Sequence, residues 1–160
     1  STGEVIGFDK HLGSAYAKAE LGAGNKLPVS GTIFISVNKS DKDDIIKIAR
    51  DLDEMDYKII ATQGTASLLQ GNGINCKNIF KVGEGRPNIV DEIKNNEIEM
   101  IINTPLGAQS RYDEYEIGKA AIKHDVPVFT TIAGAQAALR AIRITLNKKL
   151  TYTSLQDIFN

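Results

Sequence analysis

Residues 32–62 read TIFISVNKSDKDDIIKIARDLDEMDYKIIAT, and this stretch decides the fold. It opens on a β-branched and aromatic run, TIFISV at 32–37, then crosses a polar cluster into DDIIKIARDLDEM. There Ile45, Ile48, Ala49 and Leu52 recur at the 3, 4, 7 spacing of one buried helix face. A second apolar run, YKIIAT at 57–62, closes the unit. Two strands joined through a helix pair in parallel with a right-handed crossover, whereas an antiparallel pair needs only a tight turn. Ser40 or Asp41, just ahead of the helix, is its expected cap.

The same alternation continues downstream. TASLLQGNG (65–73), KNIFKV (77–82), PNIVDEIKN (87–95), EMIINT (99–104), YEIGKAAIKH (115–124), VPVFTT (126–131) and AGAQAALRAIRITL (133–146) follow in turn. Five strands alternating with five helices predict an α/β fold: a three-layer α/β/α, doubly wound, mainly parallel five-stranded sheet of Rossmann-like type. TSLQDIF (153–159) is expected to add one helical turn. Upstream, residues 1–30 lack strand alternation, and AYAKAELGAGNKLP (15–28) reads as one short helix stopped by glycines and Pro28. These residues are expected to be an appendage or linker ahead of a domain spanning 31–160. Its helix is expected to pack loosely or dock on another copy, to add nothing to a binding site and to be dispensable for binding.

The 160 residues suit one core. Lys plus Arg number 19 against 20 Asp plus Glu, a balance that excludes a general electrostatic grip on nucleic acid or an anionic membrane. The single cysteine, Cys76, allows neither an intrachain disulfide nor a thiolate metal cage, and favours a reducing, cytoplasmic setting. No apolar run approaches the ~20 residues of a membrane span, and Glu4, Asp9 and Glu20 interrupt anything resembling a signal peptide. The chain is therefore expected to be neither exported nor embedded.

In an open parallel sheet, ligands bind beyond the carboxyl ends of the strands, where helix N-termini point free donors. The first strand delivers Asn38, Lys39, Ser40, Asp41 and Lys42 to that rim; the second delivers Thr62, Gln63, Gly64 and Thr65. The third ends near Lys81 and runs into GEGRP, the fourth brings Asn103 and Thr104, and the fifth brings Thr130 and Thr131. Lys42 is anomalous, because the macrodipole opposes a cation in the first helical turn by ~0.3–1 kcal/mol. A bound anion removes the conflict, and so would Asp41, Asp43 or Asp44. In TQGT a glycine between threonines lets amides and hydroxyls converge on a phosphate; equally, Thr62 or Thr65 caps the helix. Lys42, TQGT and Lys81 come from adjacent rim positions, a set that suits a phosphate monoester. Asn103 and Thr104 offer hydrogen bonds to a ribose or base, or plain turn chemistry; Thr131 is at home in a strand; Arg86 clamps an anion or pairs with Glu84. His11 lies in the appendage and His124 at the opposite edge, and apart from Glu84 no rim carboxylate is expected from strands three to five. Neither a general base nor a metal-ligand set is therefore expected, and no catalytic residue is assigned.

STGEVIG (1–7), FISVNKSDK (34–42), IIATQGTASLL (59–69), KVGEGRPNIVDEIKN (81–95) and IINTPLG (101–107), in this order and spacing, resemble the C-terminal part of carbamoyl-phosphate synthase large chains. From about Gly31 the resemblance is to the methylglyoxal-synthase-like, allosteric domain of that family; residues 1–30 resemble the tail of the preceding ATP-grasp unit. The resemblance implies that Ser1 is a cut within a longer chain. It also implies a regulatory site for nucleoside monophosphates, with uridine monophosphate inhibiting and inosine monophosphate activating carbamoyl phosphate production for pyrimidine and arginine synthesis. Lys42, Thr62, Gly64, Thr65 and Lys81 match the family's phosphate site and Asn103 lies near the sugar; Thr104 and Thr131 complete the expected set. No cofactor is implied for this stretch, whereas ATP and Mg or Mn serve the full-length ligase. The implied partners are the rest of the large chain, a glutaminase small chain and, through self-association, a homo-oligomer. Pro105 stands where relatives often carry a second threonine, and Ala108 and Gln109 where some carry a basic pair. The rival within the fold is a methylglyoxal synthase-type lyase acting on dihydroxyacetone phosphate, which works with aspartates and a histidine. The cyclohydrolase half of the bifunctional purine enzyme shares the sheet, but EGRPNIVDEI does not resemble its segment. A structural interaction module stands third.

Overall fold

The computed structural model describes residues 4–104 and 111–158. Its strands are β1 (Thr32–Ser36), β2 (Lys58–Thr62), β3 (Lys77–Ile79), β4 (Met100–Asn103) and β5 (Val128–Phe129). They form one all-parallel sheet in the order β3-β2-β1-β4-β5. The helices are α1 (Leu12–Gly22), α2 (Lys42–Asp53), α3 (Gln63–Gly71), α4 (Ile89–Lys94), α5 (Arg111–Lys123), α6 (Ile132–Asn147) and a final turn α7 (Leu155–Ile158). The expected doubly wound α/β architecture is the observed one.

β1 lies at the centre, buried on both faces, which is why it reads as a continuous apolar run. Ile33 and Ile35 point into a core shared with Ile45, Ile48 and Leu52 of α2, Leu69 of α3 and Leu139 and Ile142 of α6. Phe34 points the other way, to Ile89 and Ile93 of α4 and Ile117 and Ala121 of α5. The α2 face read from its periodicity is the buried one, but neither Ser40 nor Asp41 caps the helix. A 3₁₀ turn, Lys39–Asp41, precedes α2, and Asn38 caps that turn instead, its side-chain oxygen accepting from the Asp41 amide.

The loose packing expected of the helix within residues 1–30 is not what its described part shows. α1 packs along α6 with Gly13, Ser14 and Ala17 buried in the seam. A Cβ at Gly13 would stand 2.6 Å from Ile144 Cδ1 and 2.9 Å from the Arg140 carbonyl oxygen, so only glycine permits this approach. Lys18 Nζ ties the chain ahead of α1 down by donating to the Phe8 carbonyl (3.0 Å) and to Asp9 Oδ2 (2.7 Å). The buried Tyr57 hydroxyl donates to the Pro28 carbonyl at 2.7 Å, anchoring the link into β1.

Among the described residues, no helix is long and apolar enough to cross a membrane. Cys76 is buried, and desolvation pushes its thiol up to about 11. A native thiol titration at neutral pH is therefore expected to show almost no labelling of Cys76, with full labelling after unfolding, since the thiolate is the reactive form. Rapid labelling of the native protein would refute that burial.

Candidate functional site

In strand order 3-2-1-4-5 the connections from β1 and from β4 run in opposite directions, so a crevice opens above the carboxyl ends of β1 and β4. Register sets Ser36 beside Asn103 there, and the Thr104 amide donates to the Ser36 carbonyl at 3.0 Å. On the other side of β1, the Ser36 and Thr62 hydroxyls share a hydrogen bond of 3.3 Å. Thr65 Oγ1 accepts from the Val37 amide at 3.5 Å. Neither threonine caps α3, which opens at Thr62 without a side-chain cap. The capping alternative for TQGT is thus set aside, and the first amides of α3 have no side-chain acceptor of that kind.

Lys42 reaches across to this helix start, where its Nζ donates to the Gly64 carbonyl at 3.2 Å. A Cβ at Gly64 would stand 3.6 Å from that ammonium, in ordinary contact. Among the described residues Lys42 forms no ion pair with Asp41, Asp43 or Asp44. Lys81 comes in from the end of β3, half-exposed, with Glu84 Oε1 at 3.7 Å from its Nζ. Arg86 does not pair with Glu84; it grips Asp91, with Nε donating to Oδ2 at 3.1 Å. That grip and the Asn88 amide hold the Asp91 carboxyl down to about 2. Arg86 is therefore engaged in the α4 capping box.

A narrow hollow of about 20 Å³ between β1, β4 and α5 gathers Ser36, Thr62, Lys81 and Asn103 with Asp113 and Glu114. The two carboxylates correct the expectation that strands three to five bring no acid to the rim apart from Glu84. The signal lay in spacing: Asp113 is four residues before Ile117, whose face is buried, so the first turn of α5 aims an acid inward. Burial raises the Asp113 carboxyl above its ordinary value; Lys81 partly opposes the rise and Glu84 and Glu114 add to it. An acid raised in the fold destabilises the folded state once ionised, and the penalty grows as pH climbs from the unfolded value, near 4, through the folded one. Asp113→Asn is accordingly expected to raise the melting temperature at pH 7, with the gain fading below about pH 4. An unchanged pH profile would remove the burial argument.

Thr104 is 1% exposed, and its hydroxyl accepts from the Asn38 amide at 3.0 Å. Thr131 stands apart. It caps α6, accepting from the Gly134 amide at 3.0 Å, and lines a separate hollow with Thr130, Tyr16, Glu20 and Asn25. Residues of the first thirty thus do reach the sheet's carboxyl rim, at β5, contrary to expectation. Burial and a hydrogen bond with Glu20 push the Tyr16 phenol up to about 12. A wider hollow, about 800 Å³ along β2 and β3, contains none of the expected site residues. His124 shares a 3.2 Å hydrogen bond with Asn96 at the far end of α5, and His11 precedes α1, so neither approaches the crevice. Among the described residues no three His, Cys, Asp or Glu side chains gather as a metal site would require. Pro105, Ala108 and Gln109 lie outside the described residues.

Residues 44–130 match the MGS-like domain family. The "carbamoyl phosphate synthase large chain, C-terminal section" of Methanopyrus kandleri is 50% identical over 159 residues, covering 99% of this chain and 29% of the relative. The carbamoyl phosphate synthase large chain of Archaeoglobus fulgidus is 48% identical over 98% of this chain, which spans 15% of that protein. Among solved structures, methylglyoxal synthase from Elizabethkingia anophelis superposes with a TM-score of 0.57 at 20% identity, over 71% of this chain and 79% of that one. That last likeness concerns the fold alone.

Proposed function

This chain belongs to the MGS-like domain family, and on that premise we propose that it is the nucleotide-sensing regulatory part of a carbamoyl phosphate synthase large chain. The observation that carries the proposal is the meeting of Lys42 with the uncapped start of α3. A helix N-terminus with a lysine beside it is a phosphate site in both charge and donor direction. In the proposal Thr62, Gly64, Thr65 and Lys81 complete the phosphate cradle. Asn103 and Asp113, a donor–acceptor amide and an acceptor carboxylate, take the ribose hydroxyls across the mouth of the hollow. The preferred ligand is a nucleoside monophosphate of the uridine or inosine type. The remainder of the large chain, its ATP and Mg or Mn sites and a glutaminase small chain carry the ligase chemistry in a cytoplasmic enzyme. This stretch itself contributes control, without catalysis.

A second reading has one observation in its favour. Asp113, an acid of raised pKa beside Lys81, is the kind of group that a methylglyoxal synthase-type lyase uses on dihydroxyacetone phosphate. The absence of a histidine from the crevice, among the described residues, weighs against it. One experiment separates the two: calorimetric titration with uridine, inosine and adenosine monophosphates beside an assay of phosphate release from dihydroxyacetone phosphate. Saturable nucleotide binding with no phosphate release supports the regulatory reading. Release above a heat-killed control, without nucleotide binding, establishes the lyase.

A further inference from the structure

Lys42 carries the proposed phosphate site, yet three aspartates surround it in sequence, at 41, 43 and 44. A carboxylate next to an ammonium at the surface pairs with it readily and would blunt it toward an incoming anion. One of the two adjacent in sequence, Asp41, is held by a specific contact to another residue. Asn38 Nδ2 donates to Asp41 Oδ2 at 2.7 Å, while Asn38 Oδ1 accepts from the Asp41 amide at 3.1 Å and from Ser40 Oγ at 2.6 Å. One side chain therefore both caps the turn and holds its carboxylate.

Asn38 is itself held from behind. Its amide donates to Thr104 Oγ1 at 3.0 Å, and Thr104 is buried at the end of β4, where its own amide donates to the Ser36 carbonyl at 3.0 Å. The clasp runs from the end of β4 through Asn38, four residues before the lysine it serves, to Asp41 just ahead of α2. We propose that Asn38, fastened to Thr104, is a positioning residue that keeps the Asp41 carboxylate off Lys42, so that Lys42 meets an anion with its charge unspent. Thr104 on this reading acts through Asn38 and not by touching the ligand. The inference rests on the phosphate-site reading above, and sharpens it by assigning residues that set the charge of the site.

The test is calorimetric titration of uridine monophosphate and inosine monophosphate, with uridine as the phosphate-free control. It compares the parent chain, Asn38→Ser, and Asn38→Ser combined with Asp41→Asn. Serine keeps a cap acceptor, so the turn persists, but it lacks the amide that reaches Asp41. Asn38→Ser is expected to weaken both monophosphates about 5-fold, the size of one exposed charge pair, and to leave uridine unmoved. Adding Asp41→Asn is expected to restore affinity to within about 2-fold, because the released carboxylate is gone. A merely structural loss would not be repaired by removing that charge, so failure of the rescue overturns the proposal, as does unchanged binding by Asn38→Ser. Thr104→Val should weaken the monophosphates, and Thr104→Ser, which retains the acceptor, should not; equal loss in both contradicts the clasp. If the parent binds neither nucleotide, the phosphate-site reading has failed. The positioning claim is then decided by a crystal structure of Asn38→Ser, where Asp41 and Lys42 within about 4 Å support it and their separation refutes it.

Discussion

Replacing Lys42 by alanine will weaken a nucleoside monophosphate roughly 10- to 100-fold, while the parent nucleoside will bind almost as before. A charge-assisted hydrogen bond to phosphate contributes about 1.5–3 kcal/mol, and Lys42 is placed to make one above the first turn of α3. Lys81→Ala should fall in the same range. The two together should fall short of the product of their effects, because both act on one group. Stability offers an independent check. In the free chain Lys42 sits unfavourably at a helix N-terminus, and its side-chain hydrogen bond to Gly64 is exposed. Its loss should therefore leave the unliganded melting temperature within a degree or two, while stabilisation by the nucleotide largely disappears. If Lys42→Ala binds the monophosphate normally, the lysine is only a solvated surface charge.

Gly13→Leu should be strongly damaging, at about 2–3 kcal/mol or a fall of roughly 5–10 °C in melting temperature. The new side chain must push against the Arg140 carbonyl as well as Ile144, and backbone cannot step aside as a flexible side chain can. Deleting residues 1–27 should be worse still, exposing the face of α6 that α1 covers and giving aggregated or poorly folded protein. Gly118→Ala is the control. A Cβ there meets nothing within 4 Å, so placing alanine inside α5 should stabilise by up to ~1 kcal/mol. If Gly13→Leu proves as harmless as Gly118→Ala, α1 is not clamped on α6 as described.

The sheet was legible because its central strands are buried on both faces and so appear as unbroken apolar runs such as TIFIS and MIIN. The α2 face was legible for a related reason, since Ile45, Ile48, Ala49 and Leu52 bury against a flat neighbour that demands strict periodicity. Caps were not. Asn38 caps the 3₁₀ turn ahead of α2, while neither Ser40 nor Asp41 caps the helix, and the Asn38 backbone is pinned by Thr104, 66 residues away in sequence, a contact that no local pattern announces. The docking of α1 was missed since small residues, Gly13, Ser14 and Ala17, make its contact, and small residues carry little hydrophobic signal. Asp113 was missed by reading only the loops after the strands; it enters the crevice from the following helix, where helical spacing, not loop position, aims it.

The two outermost strands of the sheet are its shortest, three residues in β3 and two in β5. Beyond β3 the chain folds back so that Phe80 bridges Asn88, and Lys77 and Asn78 are exposed polar positions on the border. Short, polar borders give an incoming chain few unpaired amides and carbonyls to lengthen the sheet, which is how natural β-structures avoid amyloid-like stacking. Such borders disfavour lateral growth. Docking of neighbouring polypeptide is then expected to favour other surfaces over extension of the strand ladder.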